Sequence, residues 1–352
     1  MLSLPGRLRR KLRDLRERAA LRRALPPWAR GLFASALTPQ LRSEAGETLV
    51  WCIRNDASSA SVTDQFTANA EEYNRRYAAS EHFEALFRQA LEGTGVKIAT
   101  APRILDLGSG SGVNSVVPCR RLFPGARVVA TDLSAELLAM LSGYLAEVGA
   151  RDEVVCVKMD AMANHVAPGA FDLVTGASIL HHLDSPAQGI ATAGRALKRG
   201  GHAIFFEPFN GWAIIRLAFE RILAEADLRG TPLDPDADDA LRRLIADTAA
   251  RSRWDRTPAE IANLDDKWLF SRTVIEKMAQ AAGFSQVRFV PHNDHPSLYR
   301  DSTIVYLRLQ SGGDDLALPD WAMEILDGFD AALTLQAKRE LMMEGTIVLT
   351  KG

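Results

Sequence analysis

Three glycines at alternate positions, Gly108, Gly110 and Gly112, form the group of residues best suited to bring the main chain against a ligand. They follow a short apolar run that contains Asp106, within the segment Arg-Ile-Leu-Asp-Leu-Gly-Ser-Gly-Ser-Gly at residues 103–112. Glycine adopts backbone angles that are closed to other residues, and it has no Cβ to keep a ligand away. Such a turn, at the carboxyl end of a first parallel strand, marks the ligand crevice of a doubly wound α/β domain.

The spacing of these glycines argues against two common phosphate-binding loops. A dinucleotide fingerprint requires Gly or Ala where this chain has Val113 or Ser115, and the loop has no lysine for a P-loop. Instead, Asp132 ends the next predicted strand, where carboxylates accept hydrogen bonds from ribose hydroxyls. Together with Asp106 near the loop, the pattern favours a ligand with a ribose, cationic groups and no phosphate.

Strand-like and helix-like segments alternate after residue 103, as a parallel sheet with crossover helices requires. The predicted strands are Ile104–Leu107, Arg127–Thr131, Val154–Lys158, Phe171–Thr175, His202–Phe206 and Gly283–Val290. The predicted helices between them are Val113–Leu122, Ala135–Glu147 and Pro186–Lys198, with the segment Ser178–Leu183 after the fourth strand. The pattern therefore predicts a doubly wound α/β fold whose glycine loop follows the first strand.

Four motifs in this order resemble the class I S-adenosylmethionine-dependent methyltransferases. They are Asp106-Leu-Gly-Ser-Gly-Ser-Gly112, Asp132, Asp160-Ala161, and Phe171-Asp-Leu-Val with Leu180-His-His-Leu-Asp184. The resemblance covers roughly residues 65–208 and implies S-adenosylmethionine as the cofactor. It also implies a seven-stranded, mostly parallel sheet, with Gly345–Lys351 as a reversed last strand at the sheet edge.

The resemblance assigns residues to the methionine part of the cofactor. Gly108, Ser109 and Gly110 would line this part, Asp106 would lie near its amino group, and Gly112 would complete the loop.

It also assigns residues to the nucleoside and to the sulfonium. Asp132 would hold the ribose and Leu133 would cover one adenine face. Asp160 would accept a hydrogen bond from the adenine amino group, with the Ala161 backbone beside it. Gly176–Ala177 would border the sulfonium.

Three side chains are the catalytic candidates: His181, His182 and Glu207. Imidazole titrates near neutral pH and could take a proton from an acceptor hydroxyl. Alignment and exclusion of water can instead supply much of the rate of an in-line transfer, which leaves the histidines a pocket-lining role. Glu207 ends the fifth strand and is an equal candidate for substrate contact, whereas Asp184 fits a cap or turn residue better than a catalyst.

Residues 209–282 form an insert where a shorter link would connect the sheet, with predicted helices Trp212–Leu228 and Asp236–Ala250. Inserts at the carboxyl ends of strands carry specificity, so this one is predicted to be a lid that shapes the acceptor pocket. Two interpretations remain open for its aromatic residues, which line that pocket or form the small core of the lid: Trp212, Trp268 and Phe270. Thr303–Leu309 is predicted as an added strand and Trp321–Leu341 as helix.

Two further groups of residues could contact a ligand. Gln65–Leu91 is predicted as a helix across the cofactor mouth, where Tyr73 and Tyr77 would touch the ligand or pack helices. The sequence also brings together His292, Asp294 and His295. Because this short group lies in a predicted loop and no distant partner ligand can be identified, we predict no metal site and leave acceptor contact or a plain loop open.

The first 30 residues contain ten Lys/Arg and two Asp/Glu, a net charge of +8 in a chain whose formal net charge is −2. Leu8, Leu12, Leu15 and Ala19 fall at helical spacing among these charges. Three interpretations are open: a helix on an anionic membrane surface, nucleic-acid contact, or a solvated helix. We divide the chain into this basic helical leader and connector, residues 1–60, and a methyltransferase domain, residues 61–352.

Composition narrows the function further. The chain has 352 residues, 47% of them hydrophobic, and its three cysteines are widely spaced, which suits a reducing compartment. We predict a cytoplasmic protein, and peripheral contact with the inner membrane surface through residues 1–30 is one of the interpretations left open for the leader. The acidic balance outside the leader argues against nucleic acid as a partner. Thr175-Gly-Ala-Ser stands where methyltransferases of amide and base nitrogens carry Asn-Pro-Pro-Tyr.

These observations favour O-methylation of a small-molecule or lipid-linked acceptor. Two alternatives remain: a subunit that binds S-adenosylmethionine without chemistry, and another transferase reaction on the same cofactor. The sequence leaves the acceptor atom and the oligomeric state open.

Overall fold

The computed structural model describes residues 25–42, 48–54, 66, 68–262, 264–311 and 318–352. The predicted leader helix through Leu8 and Ala19 lies outside these residues. Within them, no helix combines the length and the apolar character that crossing a bilayer would require.

Within the described residues, nine strands form one mixed sheet, two more than the seven predicted. In chain order they are β1 Leu37–Arg42, β2 Thr48–Ile53, β3 Arg103–Leu107, β4 Arg127–Asp132, β5 Val154–Lys158, β6 Phe171–Ala177, β7 Leu197–Pro208, β8 Phe284–Pro291 and β9 Glu344–Lys351. Their spatial order is β1-β2-β5-β4-β3-β6-β7-β9-β8. The predicted reversal of the last strand is confirmed, because β9 runs antiparallel to both β7 and β8.

The two additional strands come from the segment that we predicted as a connector. β2 pairs parallel to β5 through Trp51 and Val157, and β1 folds back antiparallel on β2. Leu37, Trp51 and Ile53 bury their side chains in the main hydrophobic core. The gain from burying these large apolar side chains favours pairing at the free edge of the sheet.

The central strands β3, β4 and β6 are buried on both faces, which explains their continuous apolar sequences. Asp106 pairs with Ala130 on one side and with Thr175 on the other. Parallel pairing in this register brings the carboxyl ends of the three strands to one edge. The glycine loop, Asp132 and the turn after β6 therefore meet there.

Helices cover both faces of the sheet. A hydrophobic core lies between the sheet and the helices on each face. The main core packs α5 Pro186–Ala196 and α9 Arg272–Ala281 on one face, and a second core packs α2 Ser80–Thr94, α3 Val116–Leu122 and α4 Ala135–Glu147 on the other. Before them, α1 Ala70–Tyr77 is separated from α2 by two residues, so the single predicted helix Gln65–Leu91 is two helices. The helix predicted from Val113 begins at Val116 instead.

A third core holds a group of helices that we call the helical subdomain. Its members are α6 Gly211–Arg229, α7 Pro235–Arg251, α10 Leu298–Ser311 and α11 Asp320–Ala332. The remaining helices are the short α8 Pro258–Ala262 and α12 Leu335–Glu340. The predicted insert therefore packs against residues from beyond its own C-terminal end.

Thr303–Leu309 was predicted as a strand and is part of helix α10, so that prediction is wrong. The segment is rich in β-branched and aromatic residues, as strands are, but the buried positions of the helix, Tyr299, Thr303 and Leu307, recur every four residues. The Thr303 hydroxyl donates to the carbonyl of Tyr299 at 2.7 Å, as helical threonines do. Trp321–Leu341 likewise divides into α11 and α12, with Leu333 extended between them.

Candidate active site

The glycine loop after β3 has the backbone that its sequence predicts. Gly108, Gly110 and Gly112 have φ of +66°, +52° and +75°. A Cβ on Gly108 would lie 2.5 Å from Cδ1 of Ile179, and one on Gly112 would meet Leu141 at the same distance. Only glycine therefore fits at these two positions without displacing a neighbour.

Asp106 lies beneath this loop rather than in the cavity that the loop borders. Its two carboxylate oxygens accept hydrogen bonds from the hydroxyls of Ser115 and Thr175, each at 2.6 Å. Burial raises the pKa of Asp106 to about 6, an effect that the hydroxyl donors only partly offset. Asp106 therefore supports the loop, and the structure does not bring its carboxylate to the cavity wall.

Ser109 is also directed into the protein. Its main-chain N–H donates to the carbonyl of Thr131 at 2.8 Å, and its hydroxyl accepts from the N–H of Thr131 at 3.0 Å. These two contacts join the glycine loop to β4. Ser109 thus fixes the distance between the loop and Asp132 at the end of that strand.

Asp132 is placed to bind a diol. One carboxylate oxygen accepts from the N–H of Gly110 at 2.8 Å, and the other accepts from the N–H of Ser134 at 2.7 Å. Burial raises the pKa of Asp132, and the hydrogen bonds from these N–H groups only partly offset that effect. Each carboxylate oxygen has a second lone pair, and Asp132 borders the cavity. The fixed carboxylate therefore fits the two hydroxyls of a ribose.

The cavity at this edge encloses about 810 Å³ of space, part of it open to solvent. Its walls combine the loop, the strand ends, α1 and the insert: Phe66, Tyr73, Gly108, Gly110, Asp132, Leu133, Leu137, Met159, Ala161, Ala177, Ser178, Ile179, His182, Leu183, Asp265 and Lys267. The lining residues that follow β4 and β5 in the chain are apolar: Leu133, Leu137, Met159 and Ala161. Asp160 does not line the cavity, and its carboxylate accepts from the N–H of Met162 at 2.8 Å.

Ser178 follows β6 in a left-handed backbone conformation, with φ of +60°. Non-glycine residues rarely adopt this conformation, and it concentrates at functional sites. The N–H of Ser178 donates to the carbonyl of Phe206 at 3.0 Å, which holds the turn against β7. The strained residue and Ile179 form the cavity wall beside the glycine loop.

Helix α1 covers the cavity mouth, as its position in the sequence predicted. Tyr73 lines the cavity, and burial with the nearby Asp132 carboxylate raises its pKa well above the usual value. Tyr77 is more exposed and does not line it. Asn114, just after the glycine loop, accepts from the N–H of Ala79 at 2.8 Å and donates to the carbonyl of Tyr77 at 2.9 Å. This side chain ties the joint between α1 and α2 to the loop.

Glu207 is fully engaged with the short 3₁₀ turn Leu180–His182. Its carboxylate accepts from the main-chain N–H groups of Ile179, Leu180 and His181 at 2.7–3.2 Å. It also accepts from Nδ1 of His181 at 2.7 Å. Glu207 is 1% exposed and does not line the cavity, so it holds the turn rather than contacting substrate.

His181 is buried between two carboxylates. Its Nδ1 faces Glu207, and its Nε2 lies 3.4 Å from the Asp266 carboxylate. Burial lowers the pKa of His181, but the two acidic groups outweigh that effect and raise it to about 9. The ring is therefore an imidazolium at neutral pH, and it does not line the cavity.

His182 is the histidine at the cavity wall. Its Nδ1 lies 2.9 Å from the carbonyl of Asp265, and because a carbonyl only accepts, Nδ1 carries the hydrogen. Burial and the adjacent His181 imidazolium lower the pKa of His182 to about 3. The neutral ring therefore has its lone pair on Nε2. No hydrogen bond among the described residues gives that atom a protein partner.

His181, His182 and Asp266 bring one ligand atom each within 4.8 Å of one another. These groups fit an ion-pair network better than a metal site, because a metal ligand needs a free lone pair. Nδ1 of His182, which lies 3.3 Å from Asp266, carries a hydrogen that it donates to the Asp265 carbonyl, and His181 is protonated between two carboxylates.

The structure resolves the two interpretations of the aromatic residues in the insert in favour of packing. Trp212 lies in the helical subdomain core and donates to the Glu344 carboxylate at 2.8 Å. Trp268 stacks on Trp254 at 4.4 Å and donates to the carbonyl of Leu183, while Phe270 is in the main core. None of the three lines the cavity.

The three polar residues near position 294 take separate partners. Nε2 of His292 lies 3.0 Å from the Thr346 hydroxyl, and burial lowers the pKa of this ring to about 3. Asp294 accepts from Arg339 through two contacts of 2.8 Å. His295 lies 3.6 Å from Asp301. The loop interpretation fits these contacts.

Several cavity residues were not singled out from the sequence. Asp265 and Lys267 belong to the predicted insert, and Lys267 lies 3.8 Å from Asp184. No feature of the neighbouring sequence indicates that this segment lies beside His182. Met159 and Ile179 are apolar residues beside predicted strand ends, so their position after each strand was the available signal.

Comparison with known proteins gives a family for the cofactor half. Residues 105–205 match the family model described as "Methyltransferase domain". A ubiquinone biosynthesis O-methyltransferase of Idiomarina loihiensis is 30% identical over 125 residues, 34% of this chain and 49% of that protein. An uncharacterized protein of Synechococcus is 34% identical over 131 residues, 37% of this chain and 31% of that protein. The chain thus spans half or less of the length of these relatives.

Solved structures with a similar fold include methyltransferases with different acceptors. Phosphoethanolamine N-methyltransferase 2 of Haemonchus contortus, solved with S-adenosylhomocysteine, has a TM-score of 0.49 and 15% identity, over 83% of this chain and 59% of that chain. Geranyl diphosphate C-methyltransferase of Streptomyces coelicolor has a TM-score of 0.47 and 13% identity, over 85% and 83%. The family match therefore assigns residues 105–205, which include the glycine loop and most of strands β3 to β7, to a methyltransferase domain.

Proposed function

We propose that this protein transfers a methyl group from S-adenosylmethionine to a hydroxyl of a small-molecule or lipid-linked acceptor. The observation that carries the proposal is the convergence, on one cavity, of the glycine loop, Asp132 and His182. The first two suit a nucleoside, and the third suits an acceptor hydroxyl. The names of the curated relatives as O-methyltransferases support the hydroxyl, although the matched residues belong mainly to the cofactor half.

The proposed cofactor contacts follow the cavity lining. Asp132 would accept both ribose hydroxyls, Leu133 and Ala161 would enclose the adenine, and the main chain at Gly108 and Gly110 would contact the methionine part. Asp106, Ser109 and Gly112 would shape the loop from below. Asp160 stays a prediction for the adenine amino group.

When bound, S-adenosylmethionine supplies a methyl group that is already activated by a positive sulfonium. The chain therefore has to align an acceptor, exclude water and receive one proton. We assign the last role to Nε2 of His182. A protonated ether is far more acidic than imidazolium, so a neutral imidazole of low pKa still accepts its proton as the new bond forms.

The insert is proposed to act as the lid of the acceptor pocket. Asp265 and Lys267 come from this segment and line the cavity next to His182. Main-chain contacts hold the segment in place, since the N–H of Lys267 donates to the carbonyl of His181 at 2.7 Å. Acceptor specificity is therefore expected to depend on residues outside the matched domain.

Two measurements test the proposal. Calorimetry should show binding of S-adenosylhomocysteine, and radiolabelled S-adenosylmethionine should transfer its methyl group to a hydroxyl compound in a cell extract. Binding without transfer would favour the alternative of a non-catalytic subunit. A matched His182→Gln variant should keep the binding and lose most of the transfer.

The basic leader supports a lipid-linked acceptor as a more specific proposal. Co-sedimentation with vesicles containing anionic lipid should pellet the full chain and leave a variant without residues 1–30 in solution. Equal pelleting of the two proteins would remove the membrane contact from the proposal.

A further inference from the structure

Three consecutive residues of the insert contact the histidine turn, which we define as Leu180–His182. The carbonyl of Asp265 accepts from Nδ1 of His182 at 2.9 Å, and the N–H of Lys267 donates to the carbonyl of His181 at 2.7 Å. Between them, one carboxylate oxygen of Asp266 lies 3.4 Å from Nε2 of His181 and 3.3 Å from Nδ1 of His182. Both rings therefore face a segment outside the matched methyltransferase domain.

Among the described residues, Asp266 is the one acidic side chain that forms ion pairs with both rings. Glu207, the other carboxylate at the turn, already accepts from three main-chain N–H groups and from Nδ1 of His181. Nε2 of His181 therefore has Asp266 as its partner. Without that carboxylate, a buried imidazolium N–H would have no anionic acceptor, which is costly.

The orientation of Asp266 is itself fixed by the helical subdomain. Its second carboxylate oxygen lies 3.5 Å from Nη1 of Arg251, and the same guanidinium nitrogen donates to Asp247 at 3.1 Å. Arg251 is 8% exposed and ends helix α7. A chain of charges thus runs from α7 through Asp266 and His181 to Glu207 on β7.

We propose that Asp266 is a positioning residue: it holds the two imidazole rings so that His182 presents the Nε2 lone pair to the acceptor hydroxyl. The assignment of the hydroxyl rests on the proposed function. The ring arrangement itself does not, because it follows from contacts within the chain. Asp266 acts through the histidines and does not line the cavity itself.

The proposal has a consequence for titration. His181 faces Glu207 from β7, Asp266 from the insert and His182 within its own turn, and Arg251 of α7 and Glu344 of β9 also act on this network. The rings of His181 and His182 are 4.1 Å apart, so the charge on one disfavours a charge on the other. Removing the Asp266 charge should lower the pKa of His181 and allow His182 to compete for the proton.

The experiment compares Asp266→Asn with Asp255→Asn in the full chain. Asp255 lies in the same insert, is exposed and pairs with Arg253, so it controls for a lost carboxylate. Histidine ¹⁵N chemical shifts would be followed from pH 5 to 10. We expect wild type and Asp255→Asn to keep His182 neutral with hydrogen on Nδ1, and His181 charged past pH 8. Asp266→Asn should lower the pKa of His181 by about one unit or more.

Several outcomes would overturn the proposal. They are an unchanged His181 pKa in Asp266→Asn, a wild-type His181 that titrates at or below the usual value for histidine, and a His182 with its hydrogen on Nε2. The wild-type measurements decide the question even if the variant fails to fold. S-adenosylhomocysteine affinity serves as the separate readout: absence of binding by wild type would contradict the proposed function and leave the histidine result standing. An Asp266→Asn variant that loses this affinity would indicate a general structural role.

Discussion

The two halves of this protein use different means to build a binding surface. The cofactor half relies on main-chain geometry: glycines at positive φ, strand ends in register, and N–H groups that fix Asp132. The helical subdomain relies on side chains, with a core of its own and ion pairs such as that between Arg251 and Asp266. A site built from main-chain geometry tolerates few substitutions within its own segment. A site built from side chains depends on contacts between residues that are far apart in the chain.

The largest expected effect comes from Gly108→Ala in the loop. The new Cβ would combine a left-handed backbone with a 2.5 Å contact to Ile179, a cavity residue. Strain and overpacking together should weaken S-adenosylhomocysteine binding by roughly 3 kcal/mol, on the order of 100-fold. Gly169→Ala is the matched control, because its φ is +62° with nothing within 4 Å. Equal affinities for the two variants by calorimetry would show that the loop does not approach the ligand.

Asp132→Ala should have the next largest effect. The variant loses a charged acceptor for the ribose hydroxyls and also frees the N–H groups of Gly110 and Ser134. We expect cofactor affinity to fall by about 1–3 kcal/mol. Asp239→Ala, an exposed pair with Arg243 in the helical subdomain, should leave the affinity unchanged. If calorimetry gave the same constant for Asp132→Ala as for wild type, the ribose assignment would be wrong.

The free energy of unfolding should depend on pH through Glu344 of β9, which accepts a hydrogen bond from Trp212 of the helical subdomain. Burial raises the pKa of this carboxyl to about 7, so its contribution to the free energy of unfolding is greatest below the usual glutamate value and is lost as pH rises through 7. Glu344→Gln keeps an acceptor for Trp212 and removes the titration. Urea unfolding should show equal stability near pH 4 and a variant that is more stable by about 1–2 kcal/mol at pH 8.

The exposed Glu324→Gln in α11 is the control for this titration and should follow wild type at both pH values. A Glu344→Gln variant with the same pH dependence as wild type would mean that Glu344 is not held as a neutral carboxyl.

The smallest effect is expected for Asn114→Ala. Its side chain makes two hydrogen bonds to the joint between α1 and α2, one of them exposed. Loss of both should cost about 1 kcal/mol and weaken S-adenosylhomocysteine binding less than about fivefold. Ser80→Ala, at the start of α2, provides the comparison. A loss larger than that of Asp132→Ala would show that the covering helix, rather than the strand ends, dominates cofactor affinity.

The predictability of the fold follows the same division. The strands β3 to β6 were placed from sequence to within two residues at each end, because a strand buried on both faces is a largely apolar run, whereas β7 begins at Leu197, five residues before its predicted start. The strands β1 and β2 were missed, since these two six-residue segments lie outside the alternating strand and helix pattern and join the sheet only where β2 pairs with β5 and β1 with β2. Thr303–Leu309 was predicted as a strand but belongs to helix α10, whose residues Leu298, Tyr299 and Leu307 pack in the third core.

Sequence alone determined the glycine loop, Asp132 and the order of the central elements, because each is encoded by residues close together in the chain. Only the tertiary structure decided where each candidate catalytic side chain lies. Glu207 lies away from the cavity because it accepts hydrogen bonds from the N–H groups of the histidine turn and pairs with the His181 ring, whereas His182 lines the cavity. Its partner Asp265 lies 83 residues away, and the two meet only because the insert packs over the turn.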